Sequence, residues 1–194
     1  MEKARIGFAF CGSYCTYDKA MAALEAVRAR YDDVQPIISE RAASTDTRFG
    51  SAHDFMREMQ RICDKRVIDS IAAAEPIGPK KLLDALVICP CTGNTLAALA
   101  LGLTNSSVTM AAKSHLRNGR PLVLAIATND GLSGSARNLG ELLARKNIYF
   151  VPFGQDDPAG KPSSLVADFT QVLPALEAAL EGRQLQPLLF PGSD

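Results

Sequence analysis

Four clusters of hydroxyl, amide and glycine residues carry most of the chemistry this sequence can do. They are Cys11-Gly12-Ser13-Tyr14-Cys15-Thr16, the single Ser39, Thr92-Gly93-Asn94-Thr95 and Thr128-Asn129-Asp130-Gly131. These side chains bind through hydrogen bonds; glycine lets a ligand approach the backbone. Where a helix begins directly after such a cluster, its free N–H groups and positive dipole end favour a phosphate. The pattern is neither a Walker A loop nor a GxGxxG fingerprint. Gly12-Ser13 reads also as a turn with a hydroxyl cap, and Thr92 as the N-cap of an ordinary strand–helix turn.

Two cationic features accompany the clusters. Arg48 stands among hydroxyls in the loop Ala42–Gly50 (AASTDTRFG), and a planar guanidinium grips a carboxylate through two parallel bonds. The alternative is a solvated surface arginine. Lys113, His115, Arg117 and Arg120 make one helix end basic, which fits compensation of the helix dipole or a ligand site. No metal site is expected. Cys89 and Cys91 have no second pair, and His53 and His115 lie far apart, so the usual zinc spacing is missing. Five cysteines, an odd number, suit reduced, buried thiols.

Short apolar runs position these clusters. Arg5–Phe10, Asp33–Ile38, Ala85–Cys89, Leu122–Ile126 and Ile148–Val151 read as strands, most of them continuous apolar runs of the kind covered on both faces. Pro90 is expected to end the third, because proline cannot donate to a ladder. Helical spacing follows in Tyr17–Arg30, around Phe55, Met59, Ile62 and Cys63, from Leu96 (with Leu99 and Leu103 on one stripe), from Asn105-Ser106-Ser107 to Asn118, and around Leu139, Leu142 and Leu143. Phe153–Ser164 reads as a long polar loop, with Ser164 opening a last helix broken or offset at Pro174. Strands alternating with helices predict an α/β fold, three αβα layers around a mainly parallel sheet. All four clusters then fall at carboxyl ends of strands, the edge where such sheets bind ligands.

With 194 residues, 47% of them hydrophobic, the chain predicts one domain over residues 1–194, its tail from about 183 extended or disordered. Lys+Arg and Asp+Glu balance at 21 each, so no field favours nucleic acid. No run reaches the roughly 18 apolar residues of a membrane span, and the start Met1-Glu2-Lys3-Ala4-Arg5 lacks a signal-peptide pattern. A cytoplasmic protein is expected.

Pro90-Cys91-Thr92-Gly93-Asn94-Thr95 resembles the Pro-Ala-Ser-Ala-Asn-Thr signature of the flavoprotein family that includes cysteinyl-peptide and phosphopantothenoylcysteine decarboxylases and flavin prenyltransferases. Thr45–Gly50, Ala74–Lys80, Thr128–Gly131 and Val151–Pro158 resemble one branch of it, the B subunits of dipicolinate synthase from endospore-forming bacteria. The resemblance spans roughly Arg5 to Pro187. It implies a Rossmann-like or flavodoxin-like fold and a cleft for FMN. Gly12, Ser13 and Ser39 would serve the phosphate side, with Thr92, Gly93, Asn94 and Thr95 nearer the ribityl chain and ring. It also implies a small dicarboxylate substrate held by Arg48, Asn129 and Lys113. A separate A subunit of dipicolinate synthase would carry the nicotinamide cofactor, NADP. A trimer-based homo-oligomer and the mother cell of a sporulating bacterium complete what the resemblance implies.

The chain also departs from the family. The reactive cysteine of the decarboxylases' late clamp loop has no counterpart in Phe153–Ser164, their usual lysine falls on Ala98, and a frequent acidic residue falls on Asn105. The catalytic acid or base is therefore not assigned. A stand-alone FMN-dependent decarboxylase and a non-catalytic assembly module with a vestigial flavin site are the alternatives.

Overall fold

A computed structural model describes residues 2–190; residues 191–194 of the expected tail lie outside the described residues. Four parallel strands form the heart of the sheet: β1 (Glu2–Phe10), β2 (Tyr31–Ile38), β3 (Ala85–Cys91) and β4 (Leu122–Thr128), in the order β2-β1-β3-β4. Their registers pair Ile6 with both Val34 and Ala85, and Leu86 with Leu122. β5 (Ile148–Phe150) continues the parallel series on the first half of β4. The second half of β4 instead takes β7 (Leu165–Ala167) antiparallel, and β7 pairs with β6 (Phe153–Gly154). The result is a flavodoxin-like α/β fold with a mixed, mostly parallel sheet of seven strands.

All seven side chains of β3 are buried, and its neighbours β1 and β4 are almost as dry. That is why these segments read as unbroken apolar runs. Right-handed crossovers put α1 (Tyr17–Arg30) on one face, and α6 (Ser107–Leu116) and α7 (Ala136–Leu143) on the other. The packing agrees. α1 lies against α8 (Val172–Leu180), while α5 (Gly93–Leu101) lies against α6 and α7. An edge-to-face stack, Phe10 on Tyr17 at 5.6 Å and Tyr17 on Phe55 at 4.8 Å, ties β1 and α1 to α3 (Ala52–Cys63).

Four expectations are corrected. Pro90 does not end β3: the strand runs on to Cys91 through a register shift between Ile88 and Cys91, and a bulge is where a sheet interior accommodates proline. Leu103 and Leu143 are exposed rather than inward. α5 stops at Leu101, capped by Gly102 in the left-handed region (φ 70°), before Leu103 can join the stripe. Ser164 opens no helix; the strand β7 follows it, and α8 begins only at Val172. Pro174 sits in the first turn of α8 and does not break it, because those N–H groups need no helical partner.

Candidate functional site

The chain order turns back at β1. From β1 the chain crosses to β2 on one side, and from β2 it passes back over β1 to β3 on the other. The loops leaving β1 and β3 therefore diverge and open a crevice at the carboxyl edge, the switch point where such sheets bind ligands. A cleft of about 630 Å³ occupies it. Cys11, Gly12 and Tyr14 after β1, Ser39 after β2, and Thr92, Asn94 and Thr95 after β3 all line it. Glu40, Arg41 and Ala42 from the short α2 (Glu40–Ala43) form another wall, and Asn105, Ser106 and Thr109 at the start of α6 close it.

Each wall is held by its own sequence. Thr92 Oγ1 accepts from Thr95 N at 3.2 Å and so caps α5. Thr95, itself buried, donates to Cys11 Sγ at 3.2 Å, and that thiol donates to the Pro90 carbonyl at 2.9 Å. Burial pushes the Cys11 thiol above its ordinary pKa, with the Thr95 hydrogen bond pulling the other way. Cys89 and Cys91 are raised further by desolvation. These three thiols stay protonated and supply no nucleophile near neutral pH. Tyr17 donates its hydroxyl to Cys11 O at 2.7 Å, fixing the loop that follows β1. In that loop Ser13 takes the left-handed conformation (φ 70°) and its carbonyl accepts from Thr16 N and Oγ1. Gly12 is a close approach: a Cβ there would stand 3.3 Å from Thr92 Cγ2 and narrow the crevice. Ser39 is buried and accepts from Ala42 N at 3.3 Å.

The expected cofactor residues thus meet at one place. Gly12, Ser39, Thr92, Asn94 and Thr95 line the cleft directly, and Ser13 and Gly93 are their chain neighbours. The residues expected for substrate do not join them. Arg48 is exposed, its guanidinium 4.8 Å from the ring centre of Phe49. Phe49 lines a separate hollow of about 540 Å³ with four carboxylates, Asp18, Glu25, Asp54 and Glu58, against one cation, Arg57, itself paired with Asp54, a net acidic setting that disfavours a dicarboxylate. Lys113 is exposed on α6 four residues beyond Thr109, and Asn129 is exposed in the turn after β4. Neither lines the cleft.

Residues that sequence reasoning passes over are Glu40 and Arg41. A polar loop drawn from Ala42 starts one position too late. A cation two places after a strand-end serine is the available signal. Glu40 is committed to structure: both carboxylate oxygens accept from Ser107 N, at 2.9 and 3.1 Å, while Ser107 Oγ donates to Ile38 O at 2.5 Å. The positive end of α6 is neutralised by the protein itself. Ser106 and Thr109 complete a reciprocal capping box on the same helix.

On its far side the start of α5 meets a second constellation. A Cβ on Gly93 would lie 2.6 Å from Ser135 Oγ, 2.8 Å from Asp130 Oδ1 and 2.8 Å from Thr128 Oγ1. Thr128 and Ser135 both donate to Asp130 Oδ1, the latter at 2.9 Å. These hydroxyls, Thr128 first, hold the Asp130 carboxyl below its usual range. The two histidines lie elsewhere. His53 is exposed beside Asp54, while His115 is buried against the Pro121 carbonyl at 2.9 Å, where desolvation pushes its pKa down to about 4.

Among known proteins the Flavoprotein family matches residues 1–155, and the chain belongs to that family. Over its whole length the chain is 44% identical to the B subunit of dipicolinate synthase from Bacillus subtilis (strain 168), a match over 197 residues that covers 100% of this chain and 98% of the relative. The crystal structure of the dipicolinate synthase B subunit from Bacillus halodurans C is similar with a TM-score of 0.89 and 41% identity, covering 98% of this chain and 97% of that one. A crystal structure of AnUbiX (PadA1) in complex with FMN and dimethylallyl pyrophosphate shares the fold, with a TM-score of 0.61 and 22% identity over 78% of each chain. Among the described residues no helix is long and apolar enough to cross a membrane.

Proposed function

We propose that this chain is the B subunit of a dipicolinate synthase. It would work with a nicotinamide-binding A subunit to oxidise a dihydrodipicolinate-type precursor to pyridine-2,6-dicarboxylate in a sporulating cell. The observation that carries the reading is 44% identity to a dipicolinate synthase B subunit over 100% of this chain and 98% of the relative. One domain, a cytoplasmic location and a trimer-based homo-oligomer belong to the same proposal.

The cleft fits FMN. Its volume of about 630 Å³ falls within the range of roughly 300–1,000 Å³ typical of cofactor sites. Its lining offers hydroxyl and amide donors from Ser39, Thr92, Asn94, Thr95 and Asn105 and one cation, Arg41. In this reading Gly12, Ser13 and Ser39 hold the phosphate side, and Thr92–Thr95 the ribityl chain and ring. FMN, when bound, supplies two-electron redox chemistry. The chain's own residues bind and orient: the capped start of α5 offers N–H groups, and the neutral thiol of Cys11 packs below without reacting. Conversion of the precursor would remove a hydride and a proton, and oxidised NADP on the nicotinamide-binding partner would supply the acceptor.

The alternative of a stand-alone decarboxylase is weakened by the loop Gln155–Ser164, which has no cysteine, and by Ala98, which is buried on α5. The test is reconstitution with the nicotinamide-binding partner. Dipicolinate formation should require both chains together with NADP. The purified chain should show the visible absorption of oxidised flavin or acquire it from added FMN. Dipicolinate formation by the partner alone at the full rate would remove the catalytic reading, and release of carbon dioxide from cysteinyl peptides would replace it.

A further inference from the structure

Arg41 lines the cleft between Ser39 and the start of α6, and it is the only cation among the residues that do. Its guanidinium makes no hydrogen bond or ion pair among the described residues, whereas Arg5, Arg30, Arg57, Arg61, Arg120, Arg145 and Arg183 all have carboxylate partners. The acidic residue beside it in the chain is turned elsewhere, both oxygens of Glu40 accepting from Ser107 N. The pair is divided: Glu40 closes a helix end, and Arg41 is left with its charge at the cleft. Nearby, Ser39 is buried and its oxygen accepts from Ala42 N, but its hydroxyl proton has no protein acceptor among the described residues. The cleft's one other charged lining residue is Glu40, whose carboxylate is bound to Ser107 N; a guanidinium beside an O–H donor there is a recognition arrangement for an oxyanion.

We propose that Arg41, with Ser39, sets the selectivity of this cleft for a ligand bearing an oxyanion, the phosphate of a flavin nucleotide or a carboxylate of the substrate. The proposal rests on the reading of this cleft as the ligand site. It gives Arg41 the role of the cation that Arg48, beside its acidic hollow, does not bring to the cleft.

The experiment measures binding to wild type, Arg41→Ala and Arg41→Lys with three probes: FMN, riboflavin and pyridine-2,6-dicarboxylate. Flavin fluorescence reports the first two, and calorimetry the third. Because Arg41 is exposed and its side chain contacts no described residue through a hydrogen bond, thermal unfolding of both variants should match wild type. If the oxyanion is the phosphate, Arg41→Ala weakens FMN by about 10- to 100-fold, the range for a charge-assisted bond, and leaves riboflavin unchanged. If it is the carboxylate, the same loss falls on the dicarboxylate and neither flavin moves. Either result sustains the proposal. Arg41→Lys should recover only part of the loss, since it keeps the charge without the fork, and the effect should shrink at high salt. Equal affinities of all three proteins for every probe they bind overturn the role of Arg41 while leaving the cleft reading intact. Wild type that binds none of the probes overturns both.

Discussion

The two flanks of the α5 N-terminus treat the same physics in opposite ways. Any helix start offers orphan N–H groups and partial positive charge. On the β4 flank the chain supplies its own anion: Asp130, held by Thr128 and Ser135, is packed so closely on Gly93 that no side chain fits between them. On the β1 flank the chain leaves space over an uncharged floor of Cys11 and Thr95, with Arg41 on the cleft wall and its neighbour Glu40 bound to the start of α6. A helix terminus alone therefore does not mark a ligand site. What marks one here is the flank on which the protein leaves space and commits its carboxylate to a different helix.

The harshest way to break this contrast is Gly93→Ala. The new methyl must displace three short, mutually bonded side chains, at a cost of about 1–3 kcal/mol, as for overpacking elsewhere. In a chain of this size that lowers Tm by about 4–8 °C for the middle of that range. An unchanged Tm would show that the β4 flank is looser than the 2.6 Å approach to Ser135 Oγ implies.

Next in size is Glu40→Ala, which strips the anion from the start of α6. Loss of a charge-assisted bond costs about 1.5–3 kcal/mol when buried, and partial exposure of Glu40 reduces this to about 1–2 kcal/mol. Faster amide exchange at Ser107, measured by NMR, would locate the effect; uniform exchange throughout α6 would argue against a local cap.

Gly12→Ala sharpens the comparison from the other side. Its methyl meets only Thr92 Cγ2 at 3.3 Å, so stability should change by less than about 1 kcal/mol, while FMN affinity falls because the crevice narrows. Weakened folding with unaltered affinity would reverse the assignment of the two flanks.

The smallest effect belongs to Asp130→Asn, read as a function of pH. The folded-state pKa of Asp130 lies below its unfolded value, so its contribution is present above about pH 4 and is lost as pH falls through the folded pKa. The Tm difference between wild type and variant should be widest near neutrality and close in acid. A gap independent of pH would mean that shape, not charge, matters at this position.

Much of this is legible in the sequence. β1, β3 and β4 announce themselves because both faces are buried, and Thr92 and Ser106 because a hydroxyl before a helix has few other uses; Ser39 is singled out only by the family resemblance. Pro90 misleads, since a rule about ladder donors does not foresee a bulge that spares the missing N–H. The β6–β7 hairpin escapes because two- and three-residue strands carry no period, and its polar loop outweighs them. Arg41 is hidden inside a helix of one turn, too short for amphipathic spacing to show which wall it joins. The Asp130–Gly93 contact is long-range, and no local pattern encodes it.

The fork in β4 has a consequence for how the protein avoids its own kind. A sheet that ended at β4 would present a row of unpaired amides along its upper half, a template for another chain. β7 covers that half, and the exposed rim passes to β6, only two residues long. Even there Phe153 is occupied, its N–H donating to Leu188 O at 3.0 Å and its carbonyl accepting from Phe190 N at 3.3 Å. The last described residues are thus a selvedge that finishes the fabric. A chain cut after Gln186 would keep its cleft but bare the rim at Phe153, and it should gain a tendency to associate strand to strand.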